Sequence, residues 1–261
     1  MFSWVGSEEA YVDQIDIRQV GPVVLGRFGG CSTAGQTKNE DGCLVMTGTD
    51  WELTVLLDAH NSAESAELVA EQFLTYQERL HKQLEQATES VLPTFEHIIL
   101  ELLTEDTFRA RCETCRGETS CLVVVRKGNY VFWLSVGDCI AHLFHPELAG
   151  LGQHSLNQRQ FFEWIGQANT FALPVPCYTR GIRELRQGHN RLFLTTDGLV
   201  ECPGEPFSDA TDIGRAFRDT EAQDAVLTLL TTIKHHAVRD STTMLTWSID
   251  VTGDVTQPSN A

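Results

Sequence analysis

Twice in this sequence an apolar run of strand length ends, with no spacer, in an aspartate: Val55-Leu56-Leu57-Asp58 and Leu192-Phe193-Leu194-Thr195-Thr196-Asp197. The run 52–57 has the length and composition of a buried strand. Such a strand fixes its backbone, so a carboxylate at its mouth is held rigidly at the rim of a core. A small residue follows each aspartate, Ala59 and Gly198, and leaves room for a ligand near the backbone. Two more acidic positions precede strand-like runs: Glu40-Asp41 ahead of Cys43, and Asp240 ahead of 242–249. Oxygen donors presented this way suit hard divalent cations such as Mg²⁺ or Mn²⁺. Acidic residues also cap strands and turns, and 36 of them give four such placements room to arise by chance. Spacing alone leaves both readings open.

The rest of the pattern sets the architecture. Strand signals open at 23–28 and 43–46. Asn61, with Glu64 three residues on, reads as a helix N-cap with its capping box. The helix that follows carries Ala66, Val69, Ala70, Phe73, Tyr76 and Leu80 on one face and fades near Thr88. A second helix is expected from Ser90, with Pro93 in its first turn and Phe95, Ile98, Ile99, Leu102 and Leu103 as its buried stripe. Strands return at 120–126 and 130–136 around a Lys127-Gly128-Asn129 turn, then at 139–144. A short helix is expected at 158–165. The runs 178–185 and 191–196 read as a further pair turning at Gly188-His189-Asn190. Helical pattern returns at 213–217 and 222–236, and a last strand at 242–249 precedes a polar tail, 252–261. Strands cluster, helices come in pairs and hairpins outnumber β-α-β units, which predicts one α+β layered domain with mainly antiparallel sheets.

Composition narrows the function. Nineteen Lys and Arg stand against 36 Asp and Glu, a formal charge of −17. Bulk electrostatics of that sign draws neither nucleic acid nor an anionic membrane, and no segment approaches the ~18 consecutive apolar residues of a membrane span. The first residues carry no basic stretch and no apolar stretch of a signal peptide. The expected location is therefore the cytoplasm, with the eight cysteines as reduced thiols. The same charge repels anionic substrates, so a phosphate ester needs something locally positive to bring it in, and bound cations are the natural candidate.

Six short motifs occur in order: Asn39-Glu40-Asp41, Asp58-Ala59-His60, Gly117-Glu118-Thr119, Gly137-Asp138, Thr196-Asp197-Gly198 and Asp240-Ser241. They resemble the metal-dependent type 2C protein phosphatase family, whose motifs run N-E-D, D-G-H-G-G, G-S-T, G-D-S-R, S-D-G and D-N. The likeness covers roughly residues 23–250. Each motif alone is weak, and six in register are strong. The resemblance implies a single phosphatase-like domain across 1–261, built as two packed antiparallel β-sheets flanked by antiparallel helix pairs. It implies a cytoplasmic Mg²⁺/Mn²⁺-dependent serine/threonine phosphatase that acts in signalling on a phosphorylated protein. Hydrolysis would proceed by direct attack of a hydroxide bridging two metal ions.

Carried over by position, Asp58 matches the aspartate shared by both metals, and Ala59 stands where the family offers a glycine carbonyl to the second. Asp197 and Asp240 match the remaining ligands of the first metal, while Glu40 and Asp41 match residues that hold metal-bound waters. His60 matches the histidine that protonates the departing alcohol in members that have it. Asp58, His60 and Asp197 are thus the expected catalytic groups.

Four departures stand out. The family's phosphate-gripping arginine is Gln36 here, with Lys38 close by but lacking a bidentate fork. The glycines of D-G-H-G-G are replaced in Asp58-Ala59-His60-Asn61-Ser62. G-D-S-R has become Gly137-Asp138-Cys139-Ile140, and D-N has become Asp240-Ser241. The third-metal aspartate is Thr114, with Glu113 the nearest substitute. These departures keep open a second reading, a catalytically weak or inactive regulatory or binding module of the same fold.

Other signals point elsewhere. Cys177 to Arg183 fits the C-x₅-R spacing of cysteine phosphatases, yet that chemistry needs a strand-loop-helix cradle and 178–185 reads as a strand. Cys112 and Cys115 form a lone C-x-x-C without a second pair at zinc spacing.

Overall fold

The structure is a computed structural model that describes residues 1–257 and Ser259. Its strands are β1 (Phe2–Val5), β2 (Ile15–Val20), β3 (Val23–Phe28), β4 (Asp41–Thr47), β5 (Trp51–His60), β6 (Glu118–Lys127), β7 (Tyr130–Val136), β8 (Ile140–Phe144), β9 (Ile165–Gly166), β10 (Thr179–Glu184), β11 (Gly188–Thr195) and β12 (Thr242–Val251). Its helices are α1 (Glu64–Thr75), α2 (Gln77–Leu84), α3 (Thr88–Thr104), α4 (Asp106–Cys112), α5 (Pro146–Gly150), α6 (Ala210–Ala216) and α7 (Ala222–His235). One sheet runs β1-β4-β5-β6-β7-β10, with β9 against β6, and the other β2-β3-β12-β11-β8. Every pairing is antiparallel. This is the α+β sandwich that the sequence predicts.

Strand alternation sorts the apolar residues into three layers. On β5, Leu53, Val55 and Leu57 face α1–α4 and pack with Val69, Phe73, Phe95 and Ile99. Leu56 faces the other way and joins Cys43, Val45, Leu122 and Val124 of its own sheet with Leu192, Leu194, Leu245 and Trp247 of the second. On the far side, Phe193 and Met244 pack under α6 and α7 with Ile213, Val226, Leu229 and Leu230. Each fully buried side chain of this size contributes about 1.5–3 kcal/mol, which is why both sheets carry near-continuous apolar runs.

The same parity decides where the motif residues point. Asp58 shares the face of Leu56, and Asp41 that of Cys43 and Val45. Thr196 follows Leu192 and Leu194, and Thr243 precedes Leu245 and Trp247. All four therefore project between the sheets, at the end where β4, β5, β11 and β12 reach the rim. Register sets Asp41 opposite Asp58 and Asp58 opposite Ser120.

Several local expectations are corrected. Asn61 is not the N-cap of α1. It sits at φ 71°, and Ser62 Oγ accepts the Glu64 N–H at 3.3 Å. Glu64 is drawn off to Arg116, whose Nε reaches it at 2.6 Å, so no capping box closes. The expected long helix breaks at Tyr76 into α1 and α2. Residues 158–165 form no helix, and the helical turn lies earlier, at α5. The runs near 178–185 and 191–196 do not pair: β10 joins β7 in the first sheet, and β11 lies between β8 and β12 in the second. Both have strand composition, and only the fold reveals that the chain changes sheets at 185–187. Strands β1 and β2, ahead of the first expected strand, complete the two sheet edges. The tail is held at Thr256, whose N–H donates to Glu184 at 3.1 Å. Its last residues, 258, 260 and 261, lie outside the described residues.

Candidate active site

At the rim between the sheets the motif carboxylates meet. Asp197 begins a short 3-10 turn directly after β11, and its backbone N–H points at Asp58 Oδ2 from 3.4 Å. The turn is tight against β12: a Cβ on Gly198 would lie 2.2 Å from the Ser241 carbonyl oxygen, so only glycine lets the two segments close. Gly137, at φ 88°, is required in the same way, since a Cβ there would meet Ser120 Oγ at 2.2 Å. That close approach brings Asp138 to Ser120, whose Oγ donates to Asp138 Oδ1 at 2.6 Å.

The carboxylates differ in how they are satisfied. Asp41 is fully buried and accepts three hydroxyl hydrogen bonds, from Ser241 at 2.9 Å, Thr243 at 2.7 Å and Thr196 at 3.2 Å. Burial, opposed by those hydroxyls, still pushes its pKa up to about 7. Asp197 has one buried carboxylate oxygen, Oδ1, with no partner. Burial, together with Asp240, Asp138 and Glu201, raises its pKa to about 8. Asp58 is raised well above the usual carboxylate range by burial and by Asp197, Asp41, Asp240 and Asp138. Asp240 is raised too, by burial, against the Ser241 N–H bond and the nearby His60. Four or five acids repelling one another in a buried rim is the electrostatic signature of a site that needs positive charge.

Part of that charge is internal. Arg159 reaches Glu201 at 2.5 Å, Asp138 at 3.3 Å and Asp197 at 3.5 Å, with its guanidinium over the Phe161 ring at 4.8 Å. Among the described residues, no three His, Cys, Asp or Glu side chains stand grouped as a metal ligand set. Asp58 and Asp197 are adjacent, but the Asp138–Asp197–Glu201 side is drawn around the guanidinium instead.

The other expected residues surround this centre. Gln36, Lys38, Glu40, Glu201, Arg239 and Asp240 line a cleft of about 440 Å³. Lys38 Nζ bridges Glu40 at 2.7 Å and the Asn61 carbonyl at 3.0 Å. It therefore ties the strand carrying the acidic pair to the turn after His60. Ala59 is buried within β5 opposite Thr119. Asn61 occupies the left-handed conformation that asparagine tolerates best after glycine, so the lost motif glycine keeps its backbone shape. Thr114 and Glu113 lie past α4, where the Thr114 hydroxyl bonds the Arg111 carbonyl. Cys177 is exposed, and Arg183 sits on β10 bonded to Gln153, so the C-x₅-R spacing forms no cradle.

Sequence reasoning missed three parts of the site: Arg159, Glu201 and the hydroxyl cage of Asp41. The run Ser241-Thr242-Thr243 was a visible signal for the cage. Arg159 lies in an aperiodic stretch that offers none.

No known family profile matches the sequence, and no curated protein is significantly similar to it. Solved structures do match. A bacterial serine phosphatase aligns at 15% identity over 89% of this chain and 99% of its own, with a TM-score of 0.65. The serine/threonine phosphatase Stp1 from Staphylococcus aureus aligns at 15% identity over 91% and 94%, TM-score 0.61. RsbX in complex with magnesium aligns at 14% identity over 90% and 100%, TM-score 0.57. The chain thus has the fold of bacterial serine/threonine phosphatases along nearly its whole length, in keeping with the type 2C resemblance of its motifs.

Proposed function

We propose that this chain is a metal-dependent serine/threonine phosphoprotein phosphatase. The observation that carries the reading is the meeting of Asp58 and Asp197 at the sandwich rim, with one buried Asp197 oxygen left without a partner. Donors of that kind fit hard divalent cations, which take carboxylate, carbonyl and water oxygens. Asp58, Asp197 and Asp240 would hold two Mg²⁺ or Mn²⁺ ions, with the Ala59 carbonyl as a further donor. Glu40 and Asp41 stand at the edge of this set. Asp41, spent on three hydroxyls, acts by locking β4 to β12 and to Thr196. Bound there, the cations supply Lewis acidity, acidifying a water and screening the phosphoryl oxygens.

The chain's own groups do the rest. His60, at the end of β5 and near Asp240, would give a proton to the departing seryl or threonyl oxygen. Lys38 and Gln36, which line the cleft with Asp240, would offer N–H donors to the phosphoryl group. Lys38 also fixes the turn that carries His60 by holding the Asn61 carbonyl. The apolar sheets behind Asp58 keep its carboxylate from swinging away.

Mn²⁺-dependent hydrolysis of p-nitrophenyl phosphate and of a phosphoserine peptide tests the reading. Activity that disappears in Asp58→Asn with the fold intact supports it, and near-native activity in that variant defeats it. A second reading is favoured by one observation, the guanidinium of Arg159 inside the acidic site. In it the domain binds a phosphoprotein without turnover. Absence of Mn²⁺ uptake in calorimetry, in a protein that still binds phosphopeptide, would select that reading.

A further inference from the structure

At the other end of β11 from Asp197 lies a cavity of about 290 Å³ between β8, β11 and α6. Twelve residues line it, three of them arginine and three histidine, and none is acidic. That composition is unexpected in a chain with nearly two acids for every base. Most of its cations lie against carboxylates, as Arg27, Arg79, Arg111, Arg116, Arg126 and Arg159 do. Here, among the described residues, Arg191 and Arg218 make no ion pair, and the Arg191 Nη1 atom is buried with no hydrogen-bond partner. Burial pushes the Arg191 guanidinium pKa down, with only Glu221 opposing the shift. The third arginine, Arg215, is neutralised by Asp212 within α6.

The remaining walls are apolar. Arg191 lies over the Phe217 ring at 4.7 Å, and Phe144, Pro146 and Ala149 complete that side. His154 adds an Nδ1 that is buried without a partner. His145 is already satisfied on both ring nitrogens, by the Gln187 carbonyl and the Glu147 N–H, and His189 by Asp250. Two unpaired guanidiniums beside an aromatic and aliphatic wall form a mixed surface, anionic in preference at one side and flat and apolar at the other. An unpartnered buried N–H is costly, and a ligand oxygen would satisfy it.

We propose that this cavity binds an aromatic monophosphate of the size of a nucleoside monophosphate. Arg191 and Arg218 take the phosphate, and the ring lies along the wall of Phe144, Pro146 and Ala149, since the Arg191 guanidinium already covers Phe217. A volume near 290 Å³ is at the small end of ligand pockets and limits the ligand to one ring system with its sugar. The site is separate from the cleft: Arg191 precedes Asp197 by six residues on an extended strand, about 20 Å away at ~3.3 Å per residue. The inference does not rest on phosphatase activity.

Titration calorimetry of the full chain in EDTA, with AMP, GMP, adenosine and inorganic phosphate as separate probes, tests it. The expected result is one-site binding of a nucleoside monophosphate, with adenosine and inorganic phosphate each at least tenfold weaker. Arg191→Gln and, independently, the exposed Arg218→Ser should each loosen it about tenfold, while Asp58→Asn leaves it unchanged. No binding by either nucleotide overturns the proposal, as does equal affinity for inorganic phosphate or indifference to both arginine variants. Loss in Asp58→Asn would move the binding to the cleft and equally overturn it.

Discussion

Asp41 and Asp197 are separated by one hydrogen-bonded threonine, yet the two corners of the rim they occupy are built on opposite principles. Around Asp41 three hydroxyls converge, and the carboxylate is a structural bolt between β4, β12 and the end of β11. Around Asp197 the neighbours are Asp58, Asp138, Asp240 and Glu201, one oxygen has no partner, and a single arginine provides the positive charge. A buried charge is tolerated when hydrogen bonds surround it and is costly when like charges do. The first corner is thus braced by hydrogen bonds, and the second holds unfavourable electrostatics that Arg159 offsets only in part.

The sharpest way to break that contrast is to neutralise each corner in turn. Asp197→Asn should lower Mn²⁺-dependent turnover by about 10³-fold or more, the scale expected when a group that positions transition-state charge is lost. Above pH 8, where Asp197 is ionised, it should at the same time raise the melting temperature of the metal-free protein, because a repelling carboxylate has gone. Asp41→Asn should do the reverse. Its amide presents N–H donors to a cage built to donate, so stability should fall by about 1–3 kcal/mol, with a smaller loss of turnover. Melting curves in EDTA and initial rates in Mn²⁺ read both. If the two variants melted alike, the division would be wrong.

A second test removes the internal cation. With Arg159→Ala, Asp138, Asp197 and Glu201 lose their guanidinium, so a divalent ion no longer competes with it. Mn²⁺ should then bind about tenfold more tightly by calorimetry, within the range seen when groups behind a metal site are changed. The metal-free protein should melt lower. Weaker Mn²⁺ binding would instead make Arg159 a support of the site.

Much of this site was legible beforehand, for a physical reason. Asp58 lies near the end of an apolar strand whose parity turns it between the sheets, and Asp197 follows another, on a tight turn that Gly198 marks in the sequence. The architecture was legible for the same reason, since the apolar alternation of β5, β11 and β12 encodes layers. What could not be read were events of one or two residues. The chain changes sheets at 185–187 without any change of composition. Asn61 adopts φ 71° where a cap was expected, because lone asparagines serve caps and left-handed turns equally well. Arg159 lies in the stretch 151–164, which has no periodicity to place it, and its role emerges only from contacts with residues 21 to 42 positions away.

Lys38 sharpens the comparison on the cleft wall. Its ammonium group is half exposed and already shared between Glu40 and the Asn61 carbonyl, so it is a modest phosphate donor. Lys38→Ala should raise KM for a phosphoserine peptide by about threefold to tenfold, the worth of one exposed charged contact. If kcat fell and KM held, Lys38 would act by placing His60 instead.

The smallest effect is the pH dependence of stability, and it separates the corners without any mutation. Asp41 and Asp197 have folded pKa values raised to about 7 and about 8 from an ordinary 3.8. The folded protein therefore binds more protons than the unfolded chain between these values, and stability falls as pH rises through that interval. His142 works the other way. Burial between Phe144 and Phe193 lowers its pKa from 6.5 to about 4, so it costs stability below 6.5 and is silent above. Between pH 6.5 and 8 the carboxylates act without it. The metal-free protein should lose a few degrees of melting temperature there, about 2–4 °C for each kcal/mol in a domain of this size. Mg²⁺ at saturation should flatten the Asp197 part of the slope, because the ion replaces the proton, and leave the Asp41 part, whose oxygens are already taken by hydroxyls. A slope abolished entirely by Mg²⁺ would mean that Asp41 gives up its cage to the ion, and the two corners would then be one.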